Sequence, residues 1–170
     1  MKLILITIMM TLSFFARSNE ACDLEAIGLN KNSDIERQLF FTGTCHYRNK
    51  EFDLAVKSWE ELSSLKNINQ EYNEYQIDVL NNLGYMKFFG YGTTKDQPQA
   101  IVYWKEAILL GHYEAEFHLC HAYADKNELT YHLAKARKHC EKALLIYKGM
   151  DEQDKETIDI IKKYRSQIGD

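Results

Sequence analysis

The chain contains one proline in 170 residues, and no proline-, glycine- or serine-rich tract divides it. With so few helix breakers, long uninterrupted helices are permitted and a multi-domain layout joined by flexible linkers is disfavoured. Basic charge is also in short supply. Twenty-one Lys and Arg face 25 Asp and Glu, a formal charge of −4, which argues against nucleic acid or anionic lipid as the main partner. The cysteines form no C-x-x-C pair and the histidines no H-E-x-x-H, so neither a tuned redox thiol nor a standard zinc spacing is written in the sequence. There is no G-x-S-x-G, and Gly90-Tyr91-Gly92 does not follow a strand as a phosphate-binding loop would. Acidic pairs such as Glu60-Glu61 and Asp151-Glu152 sit in helical surface patterns, where solvated charge explains them. The sequence points to no catalytic residue and no cofactor.

What is present begins with an address. Lys2 gives a short basic segment, Leu3 to Phe15 is mostly apolar, and Ala16-Arg17-Ser18 places small residues at −3 and −1. This predicts a secretory signal over residues 1–18, cleaved before Asn19. The apolar run is short for a membrane anchor. Asn19-Glu20-Ala21 before Cys22 lacks the leucine of a lipoprotein signal, so no stable membrane insertion is expected after cleavage. Cleavage would remove Lys2 and Arg17 and no acid, leaving 19 basic against 25 acidic side chains, or −6. Cys22, Cys45, Cys120 and Cys140 are an even set, as a chain bound for the periplasm or the exterior would carry. Taken alone, they allow three pairings.

The stretch from Leu83 to Cys120 organises the rest. Leu83-Gly84 opens a helical pattern that Gly90 and Gly92 break. Asp96 reads as an N-cap with Gln99 three residues on, and Pro98 falls in the first turn. Ala100, Trp104, Ala107 and Ile108 recur at helical spacing, and Gly111 fits the left-handed position after the helix. A shift of 36 residues carries Leu83, Gly84, Ala100, Trp104 and Ala107 onto Leu119, Cys120, Ala136, Cys140 and Ala143. A fixed period of this size predicts an all-α chain of stacked antiparallel helix pairs, a short α-solenoid.

In Leu83, Gly84, Gly90, Gly92, Asp96, Ala100, Trp104, Ala107, Gly111 and Ala115 the chain resembles the Sel1-like repeats, relatives of the tetratricopeptide repeats. Lys87 and Thr93 stand where that pattern usually has tyrosine and valine. The resemblance implies one repeat domain over 19–170, with units at about 33–65, 70–111 and 112–148. In the first unit Ser33 or Asp34 would cap a helix carrying Leu39, Gly43 and Tyr47. A turn at Asn49-Lys50 would follow, then a helix carrying Phe52, Ala55, Val56, Trp59 and Leu62. A capping helix is expected over 151–168, with Asp151 as N-cap and Ile158, Ile161, Tyr164 and Ile168 as its apolar stripe.

The resemblance also implies which residues meet. In the family, the positions of Gly84 and Trp104 face each other across the helix pair, so Cys120 and Cys140 at those positions would form a disulfide, leaving Cys22 for Cys45. That bridge would consume the sulfurs that, with His118, His121 and His139, could otherwise hold zinc, so no metal site is expected. Family members bind protein segments along their first helices. The positions that carry over are Arg37, Phe40, Thr44 and Tyr47 in the first unit, Asp78, Asn81, Tyr85 and Phe88 in the second, and Glu114, Phe117 and His121 in the third. Phe40 and Phe117 suit packing between units as well as they suit a surface. Tyr85 and the Phe88-Phe89 pair are expected to be exposed, because two adjacent rings on a helix cannot share one core stripe. The function implied is protein binding without catalysis, as an adaptor or scaffold for an envelope protein or as an immunity protein against an antibacterial effector. The rival is a β-lactam-binding or -hydrolysing enzyme, as linked to some cysteine-rich relatives.

Overall fold

A computed structural model describes residues 22–66 and 70–169; the expected signal segment lies outside them. Among the described residues are seven α-helices and no strand. They run α1 (Ile35–Arg48), α2 (Phe52–Ser64), α3 (Asn73–Phe89), α4 (Gln97–Leu109), α5 (Glu114–Ala124), α6 (Leu133–Lys148) and α7 (Lys155–Ile168), with a 3₁₀ turn at Gln70–Tyr72 leading into α3. No described helix is long and apolar enough to cross a membrane.

Sequence neighbours pack as pairs. The most extensive contacts are α1 with α2, α3 with α4 and α5 with α6; α2 then meets α3, α4 meets α5, and α7 lies on α5 and α6. Small residues permit this closeness. A Cβ added at Gly43 would lie 2.5 Å from Trp59 Nε1, and one at Gly84 would lie 2.5 Å from Trp104 Nε1. The third pair has no such glycine and no tryptophan. Cys120 and Cys140 stand there as a disulfide, with Cα atoms 4.5 Å apart. A second disulfide, Cys22–Cys45, ties the described N-terminus to α1.

The local signals around α4 act as their chemistry requires. Asp96 accepts the Gln99 backbone N–H at 3.0 Å, and Gly111 adopts φ +99° after the helix. Gly92, at φ +64°, lies against the Phe52–Asp53 backbone with no room for a Cβ. It brings the loop after α3 onto the start of α2.

Two helix starts differ from expectation. Asp34 precedes α1 but makes no side-chain cap; its carboxylate accepts the Tyr72 hydroxyl at 2.6 Å instead. That bond is the main reason the Tyr72 phenol is pushed up to about 12. The last helix is capped by Asp154, not Asp151. Asp154 accepts the Thr157 backbone N–H at 3.0 Å and its hydroxyl at 2.7 Å, and the backbone bond chiefly lowers the Asp154 pKa. Two acids three residues apart repel, whereas Asp154 with Thr157 supplies an acceptor and two donors. The expected stripe still faces inward: Ile158, Ile161 and Ile168 are buried and Tyr164 is half-buried.

The core falls into two clusters. One gathers Ala55, Val56, Trp59, Leu62, Val79, Leu83 and Met86, and the other runs from Leu80 and Phe88 through Trp104 and the disulfide to Ile168. Tyr85 and Tyr103 pack against both.

Candidate functional site

The first helices of the pairs, α1, α3 and α5, touch in sequence, and open space remains where they meet. One cleft, of about 240 Å³, is lined by Thr44 and Tyr47 of α1, Trp59 of α2, Asn81, Asn82, Tyr85 and Met86 of α3, and Glu114 and His118 of α5. A second, of about 310 Å³, is lined by Asp78, His112 and Tyr113 and shares Asn81, Asn82 and Glu114 with the first. The two therefore adjoin along α3 and α5.

The polar groups here are partnered unevenly. Trp104 Nε1 donates to the Asn81 carbonyl at 3.2 Å. The corresponding carbonyl in the first pair, Phe40 O, is taken by the Thr44 hydroxyl at 2.8 Å. Trp59 Nε1 is accordingly buried with no partner. Asn81 Nδ2 reaches Glu114 Oε2 at 3.5 Å, while Asn81 Oδ1 is buried and unpartnered. Glu114 Oε1 accepts the Tyr113 hydroxyl at 3.2 Å. His112 Nε2 lies 3.4 Å from Asp78 Oδ1, and its buried Nδ1 has no partner. Every buried side-chain atom found without a hydrogen bond among the described residues belongs to a residue lining one of these two clefts.

His118 lies flat on the Trp104 ring, centroids 5.0 Å apart. Burial, reinforced by the nearby His121 and His112, lowers its pKa to about 4, so it is neutral at ordinary pH. Burial likewise raises the Tyr85 pKa.

Of the residues proposed from the sequence, Thr44, Tyr47, Asp78, Asn81, Tyr85 and Glu114 come together at these clefts. The others do not line them. Arg37 is exposed near the start of α1. Phe40 stacks on Tyr75 with centroids 4.5 Å apart, and Phe117 packs beside Tyr147 at 6.2 Å. His121 hydrogen-bonds the Tyr164 hydroxyl at 2.9 Å, beneath α7. Phe88 corrects the exposure expected for it: it is fully buried, 5.2 Å from Trp104 and 5.6 Å from His121. Of the adjacent rings Phe89 is the half-buried one. α3 is covered by α4 behind and α5 beside it, so its last turn has two inward directions.

Sequence reasoning missed Asn82 and His118, which stand two residues before Gly84 and Cys120. Each lies four residues after a chosen position, Asp78 or Glu114, so helical spacing could have found them. Met86 follows Asn82 by four residues on α3, whereas Trp59 arrives from α2, and His112 and Tyr113 from the turn before α5, with no such signal.

Other chemistry has a weaker footing. Cys22, His46 and Glu51 offer atoms within 4.8 Å of one another, but the Cys22 sulfur is in a disulfide and His46 Nδ1 already bonds Glu51 at 2.6 Å. Cys120 and Cys140 are likewise bridged, so neither is a thiolate beside His118, His121 or His139. The sequence does carry one S-x-x-K run, Ser63 to Lys66. It ends α2 away from the clefts, with the Ser63 hydroxyl donating to Glu60 O at 2.9 Å. No protein-family model, no curated protein and no solved structure matches the chain.

Proposed function

We propose that this is an exported, non-catalytic α-solenoid of Sel1-like, tetratricopeptide-related repeats that works by binding another protein. The observation that carries this is the run of α1, α3 and α5, each backed by its own partner helix, with two adjoining clefts between them. A row of first helices in contact offers a surface to an extended segment, the usual service of stacked helix pairs. The recurrence of one contact supports the repeat reading: Gly43 on Trp59, Gly84 on Trp104, Cys120 on Cys140. Two disulfides and no membrane-crossing helix among the described residues fit an exported chain, and the periplasm is the compartment we assign. Two jobs suit such a module, an adaptor in an envelope complex and an immunity protein that neutralises a delivered effector. The acidic balance of the chain favours a basic partner in either job, with electrostatically steered association.

Affinity capture with the oxidised chain, against envelope proteins of its own cell and effectors of related strains, tests this. One saturable partner lost on changing Tyr47 and Tyr85 to alanine is the expected result. A toxic partner identifies the immunity role and a resident envelope protein the adaptor role. Binding that ignores both tyrosines would move the site off this face.

A further inference from the structure

The cleft joining α1, α3 and α5 has an unbalanced chemistry that specifies what fills it. The charged residues lining it and its neighbour are acidic, Asp78 and Glu114, with no lysine or arginine among them. Asp78 has His112 beside it. Among the described residues Glu114 has only neutral partners, the Tyr113 hydroxyl and the Asn81 amide, and no cation pairs with its carboxylate. Next to it, Asn81 is 4% exposed and its Oδ1 has no donor. The bond from Asn81 Nδ2 to Glu114 fixes which way this amide faces. A buried acceptor left bare is costly, and a purely structural network would satisfy it. The walls are the rings of Tyr47, Trp59 and Tyr85, whose faces attract cations. His118, neutral down to about pH 4, brings no competing positive charge.

We propose that this cleft is a socket for one cationic side chain, arginine by preference, projecting from an extended segment of a protein partner. The inference rests on the protein-binding reading above and names the chemistry of that partner. An unpaired carboxylate and a bare amide oxygen call for several donors and a positive charge, and the rings call for a flat group. A guanidinium meets all three needs, with five donors in one plane and a face that stacks. Lysine supplies charge and donors but no flat face. The volume of about 240 Å³ suits one long side chain, not a folded element.

The test titrates the full exported chain, both disulfides formed, with N-acetyl-arginine N-methylamide and separately with its neutral isostere, the citrulline derivative. Two-dimensional NMR follows the Trp59 indole and the Tyr47 and Tyr85 rings. Saturable shifts at these groups are expected with the arginine compound, at least tenfold weaker with citrulline, and intermediate with the lysine analogue. Glu114→Gln should weaken the arginine response at least tenfold without moving the thermal midpoint. If that variant fails to fold, the arginine–citrulline comparison on the unaltered chain still decides. Equal response to the two compounds, or shifts spread over the acidic surface, overturns the socket. A parallel panel of immobilised peptides separates the two readings. Capture of arginine-free peptides through Tyr47 and Tyr85 leaves protein binding standing and removes the socket, whereas absence of any peptide binding, with no partner captured, removes both.

Discussion

The second and third helix pairs solve one packing problem with different chemistry. Between α3 and α4, Gly84 vanishes beneath the Trp104 indole, and the indole N–H ties to the Asn81 carbonyl. Between α5 and α6 the same place holds the Cys120–Cys140 bridge. Losing the indole there also loses its polar tie, and a charged one stands nearby. Glu116, 4% exposed, meets His139 Nδ1 at 2.6 Å and Lys142 Nζ at 3.4 Å. Burial alone would raise the Glu116 pKa, but His139 and Lys142 more than offset it, and the net direction is down. The first pair is intermediate. It keeps glycine and tryptophan, but its indole N–H has no acceptor because Thr44 has taken it. A ring in a notch works under any redox condition and tolerates no side chain opposite. A disulfide tolerates small neighbours and requires an oxidising compartment.

Breaking the bridge is the largest perturbation of this comparison. Replacing Cys120 and Cys140 with alanine releases a loop closed across a separation of 20 residues, worth about 3 kcal/mol in the chain-entropy model. Denaturant unfolding should show this loss, and reducing agent should destabilise the unaltered chain but barely affect α3–α4 contacts. Gly84→Ala attacks the opposite pair. The new methyl would sit 2.5 Å from the indole. Overpacking should outweigh the helix-propensity gain for a net loss of about 2 kcal/mol, with a similar loss for Gly43→Ala. A tolerated alanine at either position would show that the pairs are looser than their contacts imply.

Acid probes the junction between the two pairs, where His118 of α5 lies on Trp104 of α4. Its folded pKa of about 4 is below the ordinary 6.5, so the unfolded chain binds the extra proton first. Stability from this residue is whole above pH 6.5, declines as pH falls below it and stops declining once His118 protonates near 4. The expected loss is about 2 kcal/mol by pH 5. His112 and His121 are the neighbours that contribute, and Glu114 lines the same cleft. Comparing His118→Phe, which keeps a ring on Trp104, with the unaltered chain isolates the effect; an unchanged pH profile would refute the assignment. The smallest and sharpest test is Trp→Phe at both positions. Trp104→Phe should cost about 1 kcal/mol more than Trp59→Phe, since only Trp104 gives up a hydrogen bond.

Legibility in the sequence tracked the range of the interaction. Asp96 and Gly111 were readable because a cap and a left-handed turn are settled within a few residues. The cysteines alone allowed three pairings; the resemblance to Sel1-like repeats, in which the positions of Gly84 and Trp104 face each other, implied the one that the structure holds, Cys120–Cys140 with Cys22–Cys45. Of the two cap candidates, Ser33 and Asp34, Asp34 holds the N-cap position, but its side chain makes no cap bond and instead accepts the Tyr72 hydroxyl, 38 residues on, a partner that a short-range rule cannot see. Phe88 was misread because a helix covered on two sides has no single outward face. The cleft was half legible. The repeat resemblance supplied Tyr47, Asn81 and Tyr85, but the bareness of Asn81 Oδ1 depends on donors that fail to arrive from the elements around it.

The sequence by itself determined the helices, their pairing and the places where two helices must touch, because periodicity, caps and small residues act locally and repeat. Only the tertiary structure decided which polar atoms are satisfied and which ring is covered. Those outcomes depend on every neighbour at once: Thr44 takes one carbonyl, Trp104 takes the other, and Glu114 lines the cleft with the Tyr113 hydroxyl and the Asn81 amide as its partners.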